Sequence, residues 1–370
     1  MVDLAGQYHH ISKEIDQAIF EVVHSCQFIN GPAVKDFIKN LSNYLSVKQV
    51  IPCGNGTDAL QIAMMALNLK RGDEVIVPAF TYAATAEVIG LLGLHPVMVD
   101  VDPITFNLTA GIIEEAITSK TKAIIPVHLF GQSSDMEPIM ELAKASQLAV
   151  IEDNAQAIGA DYSFLNGDTQ KAGTIGHVGC TSFYPSKNLG CYGDGGAMFT
   201  NDEDLGNRLQ MVANHGQNER YYHAVIGVNS RLDAIQAAIL NVKLKYLDQY
   251  AEARRKAASF YDKHLKPIVG IQIPGRQANS THVFHQYTIL VKDGKRDALK
   301  KYLSDKGIPT MIYYPVPLYK QAAYKSFYKN NAPLLVTENL CQEVLSLPMH
   351  TELTQSMQTY IVNEINHFLK

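Results

Sequence analysis

Lys187 stands in the run Ser182-Phe183-Tyr184-Pro185-Ser186-Lys187-Asn188-Leu189-Gly190, between a short apolar stretch and a glycine-rich one. A lysine that forms a Schiff base must shed its proton and be held against an aldehyde. A tight turn just past a strand can aim an amine into a pocket. Upstream, Ile151-Glu152-Asp153-Asn154-Ala155-Gln156 ends an apolar run with a carboxylate. Burying that charge is costly unless it is paired, and a protonated pyridine nitrogen is a suitable partner. Further upstream, Gly54-Asn55-Gly56-Thr57-Asp58-Ala59-Leu60 opens a helical pattern. Free N–H groups and the helix dipole favour a phosphate there. An amine, a strand-end carboxylate and an anion cradle are together what pyridoxal phosphate requires.

Each feature also has an ordinary reading. A single lysine is usually a solvated cation. Asp153 can equally cap the following helix, and Gly-Asn-Gly-Thr is also an ordinary capped turn. Ser182 can add a hydroxyl to the same phosphate. Tyr82, in Phe80-Thr81-Tyr82-Ala83, can stack on a flat ring or pack as a core aromatic.

The elements that must position these residues follow from hydrophobic spacing. Helical patterns over 57–69, 83–92, 109–118 and 135–146 alternate with short apolar runs at 74–78, 96–100, 123–127 and 148–153. Strands apolar on both faces and separated by helices predict an α/β fold with a mainly parallel sheet between helical layers. Ligands of such sheets bind beyond the carboxyl ends of strands, where Asp153 falls. Asn166-Gly167 signals a hairpin. A strand over 180–183 leads to Lys187, and another covers 197–200. Helices are expected at 203–213, 231–264 and 294–306, and a strand at 282–291. A chain of 370 residues suits a large domain, 1–248, followed by a smaller α+β domain, 249–370.

Composition excludes several classes. The chain is 46% hydrophobic and 18% charged, with a formal net charge of −4. That balance offers no electrostatic reason to bind nucleic acid or an anionic membrane. No apolar run is long enough to span a bilayer, and the N-terminus lacks a basic region and an apolar signal core. A cytoplasmic protein is expected. Cys26, Cys53, Cys180, Cys191 and Cys341 are odd in number and form no CxxC pair, so neither a disulfide framework nor a zinc site is expected. The histidines at 9, 10, 128, 177, 215 and 223 show no metal-ligand spacing, so no metal is expected.

The ordered set of blocks resembles a known family. Besides the three runs above it includes Pro126-Val127-His128-Leu129-Phe130-Gly131, Gly193-Asp194-Gly195-Gly196-Ala197 and Gly227-Val228-Asn229-Ser230-Arg231-Leu232-Asp233. From about residue 3 onward the chain is similar to the DegT/DnrJ/StrS family, the pyridoxal-phosphate nucleotide-sugar aminotransferases of fold type I. The resemblance implies catalytic roles for Lys187 and Asp153. It implies cofactor contacts for Gly56, Thr57, Asp58, Tyr82, Gln156 and Ser182. It further implies a homodimer with shared active sites, in which Asn229 reaches the phosphate of the partner subunit. Arg231, Tyr313 and Tyr314 match positions that line the sugar pocket, although the family often has His-Tyr-Pro where this chain has Tyr313-Tyr314-Pro315.

A narrower likeness points to the subgroup that aminates the C3 ketone of UDP-2-acetamido-2-deoxy-3-oxo-glucuronate, with L-glutamate as donor, in lipopolysaccharide O-antigen synthesis. A guanidinium at Arg231 is apt for a uronate carboxylate. The alternatives are a dTDP-3-oxo- or 4-oxo-6-deoxyhexose as acceptor and a non-catalytic regulator on the same fold.

Overall fold

The computed structural model describes residues 1–328 and 332–370. Two helices precede the first strand. In α1 (Leu4–Ser25) the Asp3 carboxylate accepts the Gly6 N–H at 2.8 Å. α2 (Pro32–Leu45) opens on a proline, whose missing N–H costs nothing in a first turn. Its buried Val34, Phe37, Leu41 and Leu45 recur at helical spacing.

Next come β1 (Gln49–Cys53), α3 (Gly56–Ala66), β2 (Glu74–Pro78), α4 (Ala84–Leu91), β3 (His95–Val99), α5 (Ala110–Glu114), β4 (Thr121–Ile124), α6 (Met136–Ala145) and β5 (Ala149–Asp153). A hairpin of β6 (Asp161–Ser163) and β7 (Thr169–Lys171) is followed by β8 (Val178–Ser182), β9 (Gly196–Thr200) and α7 (Glu203–Ala213). Seven of these strands form one sheet in the order β1-β9-β8-β5-β4-β2-β3. Only β9 runs against its neighbours. The expected α/β architecture with a mainly parallel sheet is therefore present. Helices cover both faces, so β2, β5 and β9 are buried along their length without alternation.

The chain then forms a small hairpin, β10 (Gln217–Glu219) with β11 (Tyr222–His223), and the helices α8 (Ala234–Leu244) and α9 (Leu247–Leu265). β12 (Ile271–Gln272), β13 (Tyr287–Val291), α10 (Arg296–Asp305), α11 (Leu335–Glu343), β14 (Val344–Leu347) and α12 (Gln355–Leu369) complete it. β12, β13 and β14 make an antiparallel sheet with its own apolar cluster, including Tyr261, Tyr287, Leu299, Leu345 and Ile365. No helix among the described residues is long and apolar enough to cross a membrane.

Several boundaries differ from the sequence pattern. The strand expected to reach 127 stops at Ile124, and Pro126 has no N–H for the ladder; Val127 keeps one isolated bridge to Asp153. The helix expected over 231–264 is two helices that turn at Lys245 and Tyr246. The turn lets Leu240 and Leu247 face one core while Tyr261 and Leu265 face another. The strand expected from 282 begins only at Tyr287. Val283 donates its N–H to Gly131, and Phe284 takes a left-handed φ of 46° with its N–H on His282 Nδ1.

The later part of the chain is fastened to the large sheet. Asp100, just past β3, accepts the N–H groups of Val336 and Thr337 and the Thr337 hydroxyl. Leu318 donates its N–H to the Ala79 carbonyl at 3.1 Å. The segment just before Leu318 carries Tyr314 against Phe80 and Tyr82, with ring centres 6.1 Å and 6.3 Å away, and Tyr313 edge-on to Tyr314.

Candidate active site

The carboxyl ends of β1, β2, β5 and β8 lead directly into the segments that carry Thr57, Tyr82, Gln156 and Lys187, and Asp153 is itself the last residue of β5. This is the edge at which parallel sheets hold ligands.

Lys187 keeps part of its surface open, and its amine makes no hydrogen bond or ion pair among the described residues. Enough protein surrounds it that burial pushes the amine down to about 8, against the attraction of Asp153. The Lys187 N–H donates to the Tyr184 carbonyl at 2.8 Å, which closes the turn that aims it.

Asp153 is 7% exposed. One of its oxygens accepts the Ala155 N–H at 3.2 Å, and the other accepts the Thr85 hydroxyl at 2.8 Å. It does not serve as a helix cap, since no helix follows before the β6 hairpin. The neighbouring Glu152 points elsewhere and is fully occupied. It takes N–H groups from Gly173, Ile175 and Gly176 and a 2.7 Å contact with His128 Nε2. His128 Nδ1 accepts the Ser134 N–H, so Nε2 carries the proton toward Glu152. Among the described residues no group of His, Cys, Asp and Glu is placed to hold a metal ion.

Gln156 is oriented from behind. Its carbonyl accepts the Phe130 N–H at 2.8 Å, so its NH2 faces the site and donates to the Tyr314 hydroxyl at 3.3 Å. Tyr82 is 61% exposed, with a ring face free to stack. Tyr314 is closely surrounded, and burial raises its hydroxyl pKa above the usual value.

The start of α3 makes the anion cradle. Asn55 is the capping residue, and its side chain accepts the Asp58 N–H at 2.8 Å. That leaves the N–H groups of Gly56 and Thr57 for a ligand. The Asp58 carboxylate accepts the Ser230 hydroxyl at 2.6 Å, and Ser230 in turn accepts the Gly54 N–H at 2.8 Å. Asp58 thus ties the 229–231 segment to the cradle. Ser182 closes the other side: a Cβ on Gly56 would lie 2.7 Å from the Ser182 Cβ. Gly196 approaches as closely, since a Cβ there would lie 2.5 Å from the Asn55 carbonyl.

Asn229 is exposed and accepts a hydrogen bond from the Arg231 guanidinium, which also donates to Asn214 at 3.1 Å. Neither residue's hydrogen bonds reach Lys187, Asp153 or Tyr314 within one chain. Arg231 has no acidic partner among the described residues. Tyr313 is half-buried, with a hydroxyl raised by burial and by Tyr184.

Sequence reasoning missed Thr85, Asn55 and Ser230. Asn55 was visible as a capping type ahead of a helix. Thr85 and Ser230 act through tertiary contacts, for which one sequence carries no signal.

The residues fit pyridoxal phosphate: a free amine, a carboxylate with unused lone pairs, an amide donor, an exposed aromatic face and two unclaimed N–H groups at a helix start. The family model for the DegT/DnrJ/EryC1/StrS aminotransferases matches residues 9–366. The chain is 46% identical over 372 residues to a "Pleiotropic regulatory protein" of Geobacillus stearothermophilus, covering 100% of this chain and 98% of that one. It is 46% identical over 349 residues to the UDP-2-acetamido-2-deoxy-3-oxo-D-glucuronate aminotransferase of Pseudomonas aeruginosa, covering 94% of each. Among solved structures, NtdA from Bacillus subtilis with bound cofactor PMP superimposes with a TM-score of 0.89 at 34% identity, covering 97% of this chain and 82% of that one.

Proposed function

We propose a specific reaction for this chain, which belongs to the DegT/DnrJ/EryC1/StrS aminotransferase family: it moves the amino group of L-glutamate to the C3 ketone of a UDP-linked 2-acetamido-3-oxo-hexuronic acid. The protein is a fold-type I, pyridoxal-phosphate-dependent nucleotide-sugar aminotransferase.

The observation that carries the reading is Lys187: an unpaired amine, pushed down to about 8, beside a buried carboxylate at the sheet edge. When bound, the cofactor supplies an aldehyde to take up the amino group and a ring to accept electrons. Lys187 would be the residue that holds that aldehyde, and its amine would move the proton at the substrate carbon. Its lowered pKa keeps a useful fraction of free amine near neutral pH. Asp153 holds the proton on the pyridine nitrogen. Gln156 would donate its NH2 to the ring hydroxyl, and Tyr82 would cover one ring face. Gly56, Thr57 and Ser182 donate to the phosphate, while Asp58 keeps the cradle attached to the 229–231 segment.

The uronate is supported by the P. aeruginosa relative and by Arg231, a guanidinium without an acid partner among the described residues. A bidentate grip on a carboxylate would use that free charge. Tyr313 and Tyr314 would line the sugar pocket. A homodimer is supported by the exposed β10–β11 region, where Tyr221 is 77%, Tyr222 67% and Ile226 87% exposed. In such a dimer Asn229, at the foot of that region, would reach the partner's phosphate.

The test is a panel of keto nucleotide sugars with glutamate, read by mass spectrometry of the aminated product. Amination of the UDP-3-oxo-uronate, weakened in Arg231→Ala, is expected. Turnover confined to neutral dTDP-deoxysugars would overturn the substrate assignment and leave the aminotransferase intact.

A further inference from the structure

We propose that Thr85 is a positioning residue for Asp153, so that the entry to α4 sets both the carboxylate at the pyridine nitrogen and the aromatic face over the ring. The inference rests on Asp153 being the partner of that nitrogen.

Thr85 is 0% exposed and sits in the first turn of α4. Its helix neighbours Ala86, Val88 and Ile89 are also fully buried. A buried hydroxyl must find an acceptor. A helical threonine ordinarily finds it in a carbonyl one turn back. Thr85 instead donates to the Asp153 carboxylate at 2.8 Å, across to a different strand. Valine would fill the same volume without a polar group to satisfy. Packing alone therefore gives no reason for the hydroxyl.

The adjacent carboxylates show what the bond leaves open. A carboxylate can accept about four hydrogen bonds. Glu152 accepts four, two on each oxygen, and is saturated. Asp153 accepts two, one on each oxygen. That pattern fixes the plane of the carboxylate while leaving a lone pair on each oxygen for a ring N–H. Without Thr85, one oxygen loses its only protein donor and the plane is held from one side alone.

Tyr82 stands two residues before α4, and the turn between it and Thr85 leads into the helix. The Thr85 N–H reaches the Tyr82 carbonyl at 3.4 Å, and the Tyr82 ring is exposed on the site side. Thr85 thus couples the position of a stacking ring to the position of a charge through the turn that enters α4.

The test uses holoenzyme reconstituted with cofactor labelled with nitrogen-15 at the pyridine nitrogen, in wild type, Thr85→Val, Thr85→Ser and Asp153→Asn. Three quantities are read: the nitrogen chemical shift, the pH midpoint of the cofactor's visible band, and the cofactor dissociation constant. In Thr85→Val the nitrogen signal should move toward the unprotonated ring, and the midpoint should shift upward. The dissociation constant should rise about ten- to a hundredfold, the worth of one hydrogen bond to a charged group. Thr85→Ser should restore all three. A wild-type nitrogen shift and midpoint in Thr85→Val would overturn the proposal. So would a serine variant as impaired as the valine one, since the methyl group would then be the cause. An unchanged nitrogen signal in Asp153→Asn would overturn the Asp153 assignment itself, and Thr85's role with it; a changed signal there beside a wild-type valine variant removes only Thr85.

Discussion

Gln156 and Phe130 are locked together: the Gln156 side-chain carbonyl accepts the Phe130 N–H at 2.8 Å. Phe130 has a φ of 59°, in the left-handed region that costs a non-glycine residue energy. The hydrogen bond holds that turn and fixes which end of the Gln156 amide faces the site. Gln156→Glu keeps an acceptor for Phe130 but replaces the facing donor with an oxygen. Turnover should fall by about tenfold or more, the loss of one neutral hydrogen bond together with a repulsive contact. The cofactor's visible band should shift as well. Steady-state kinetics beside an absorption spectrum decides it, and a variant normal in both removes Gln156 from the site.

Asp153→Asn removes a charge and little volume. The melting temperature should stay within a few degrees of wild type while most activity disappears. Activity near wild type would mean that the pyridine nitrogen has another partner.

Lys187 gives a pH signature in the apoprotein. Burial lowers its folded pKa to about 8 from the ordinary value of 10.5. Between those values the unfolded chain binds the extra proton, so stability rises with pH there and the penalty is present in full below about 8. Removing the amine should therefore help most at neutral pH. Lys187→Met apoprotein should be more stable than wild type at pH 7 by on the order of 1–3 kcal/mol, reduced from the full shift because the side chain is partly open. The gain should fade as pH climbs from 8 toward 10.5. Denaturant melts across that range give the curve, and a gain that grows with pH contradicts it. The same variant should bind no cofactor covalently.

Lys243 offers a parallel case away from the chemistry. It is 1% exposed in α8, with its amine 5.3 Å from the Tyr192 ring centre and no acidic partner among the described residues. Burial lowers it to about 8 as well. Lys243→Met should raise stability at pH 7 by on the order of 1–3 kcal/mol, with the cofactor spectrum unchanged. Destabilisation at pH 7 would show that the ammonium has a favourable partner.

The cradle can be probed by adding one carbon. In Gly56→Ala the new Cβ meets the Ser182 Cβ at 2.7 Å, close to the strand backbone, and one of the two must move. Cofactor affinity should fall, with overpacking costing about 1–3 kcal/mol. Gly56→Ala with unaltered cofactor affinity would mean that the α3 start and Ser182 do not close on the same ligand.

Much of the frame was legible because it depends on local pattern. The runs at 74–78 and 148–153 became β2 and β5, and the 203–213 pattern became α7. Asn166-Gly167 became the β6–β7 connection. What the pattern could not carry was tertiary. The reversal of β9, the turn between α8 and α9, and the late start of β13 are settled by contacts with distant residues. Within the site, Lys187 and Asp153 stood out because their residue types are unusual beside apolar strands. Thr85 and Ser230 look like any small polar residue until the fold brings each to a carboxylate.

The sheet order also governs when this protein can become an enzyme. β1 lies at one edge, and Gln49 pairs with Thr200 in β9, the one reversed strand of the seven-stranded sheet. The phosphate cradle hangs from β1, which joins the sheet only through β9, so the cradle is not set beside the lysine that follows β8 until the chain has returned through β9. Closing so long a loop comes late in folding. During synthesis, a nascent chain released only as far as Asp153 holds the carboxylate but cannot yet seat α3 beside it. Cofactor capture is therefore a late event in the life of each molecule, and truncated chains ending before Thr200 should remain colourless.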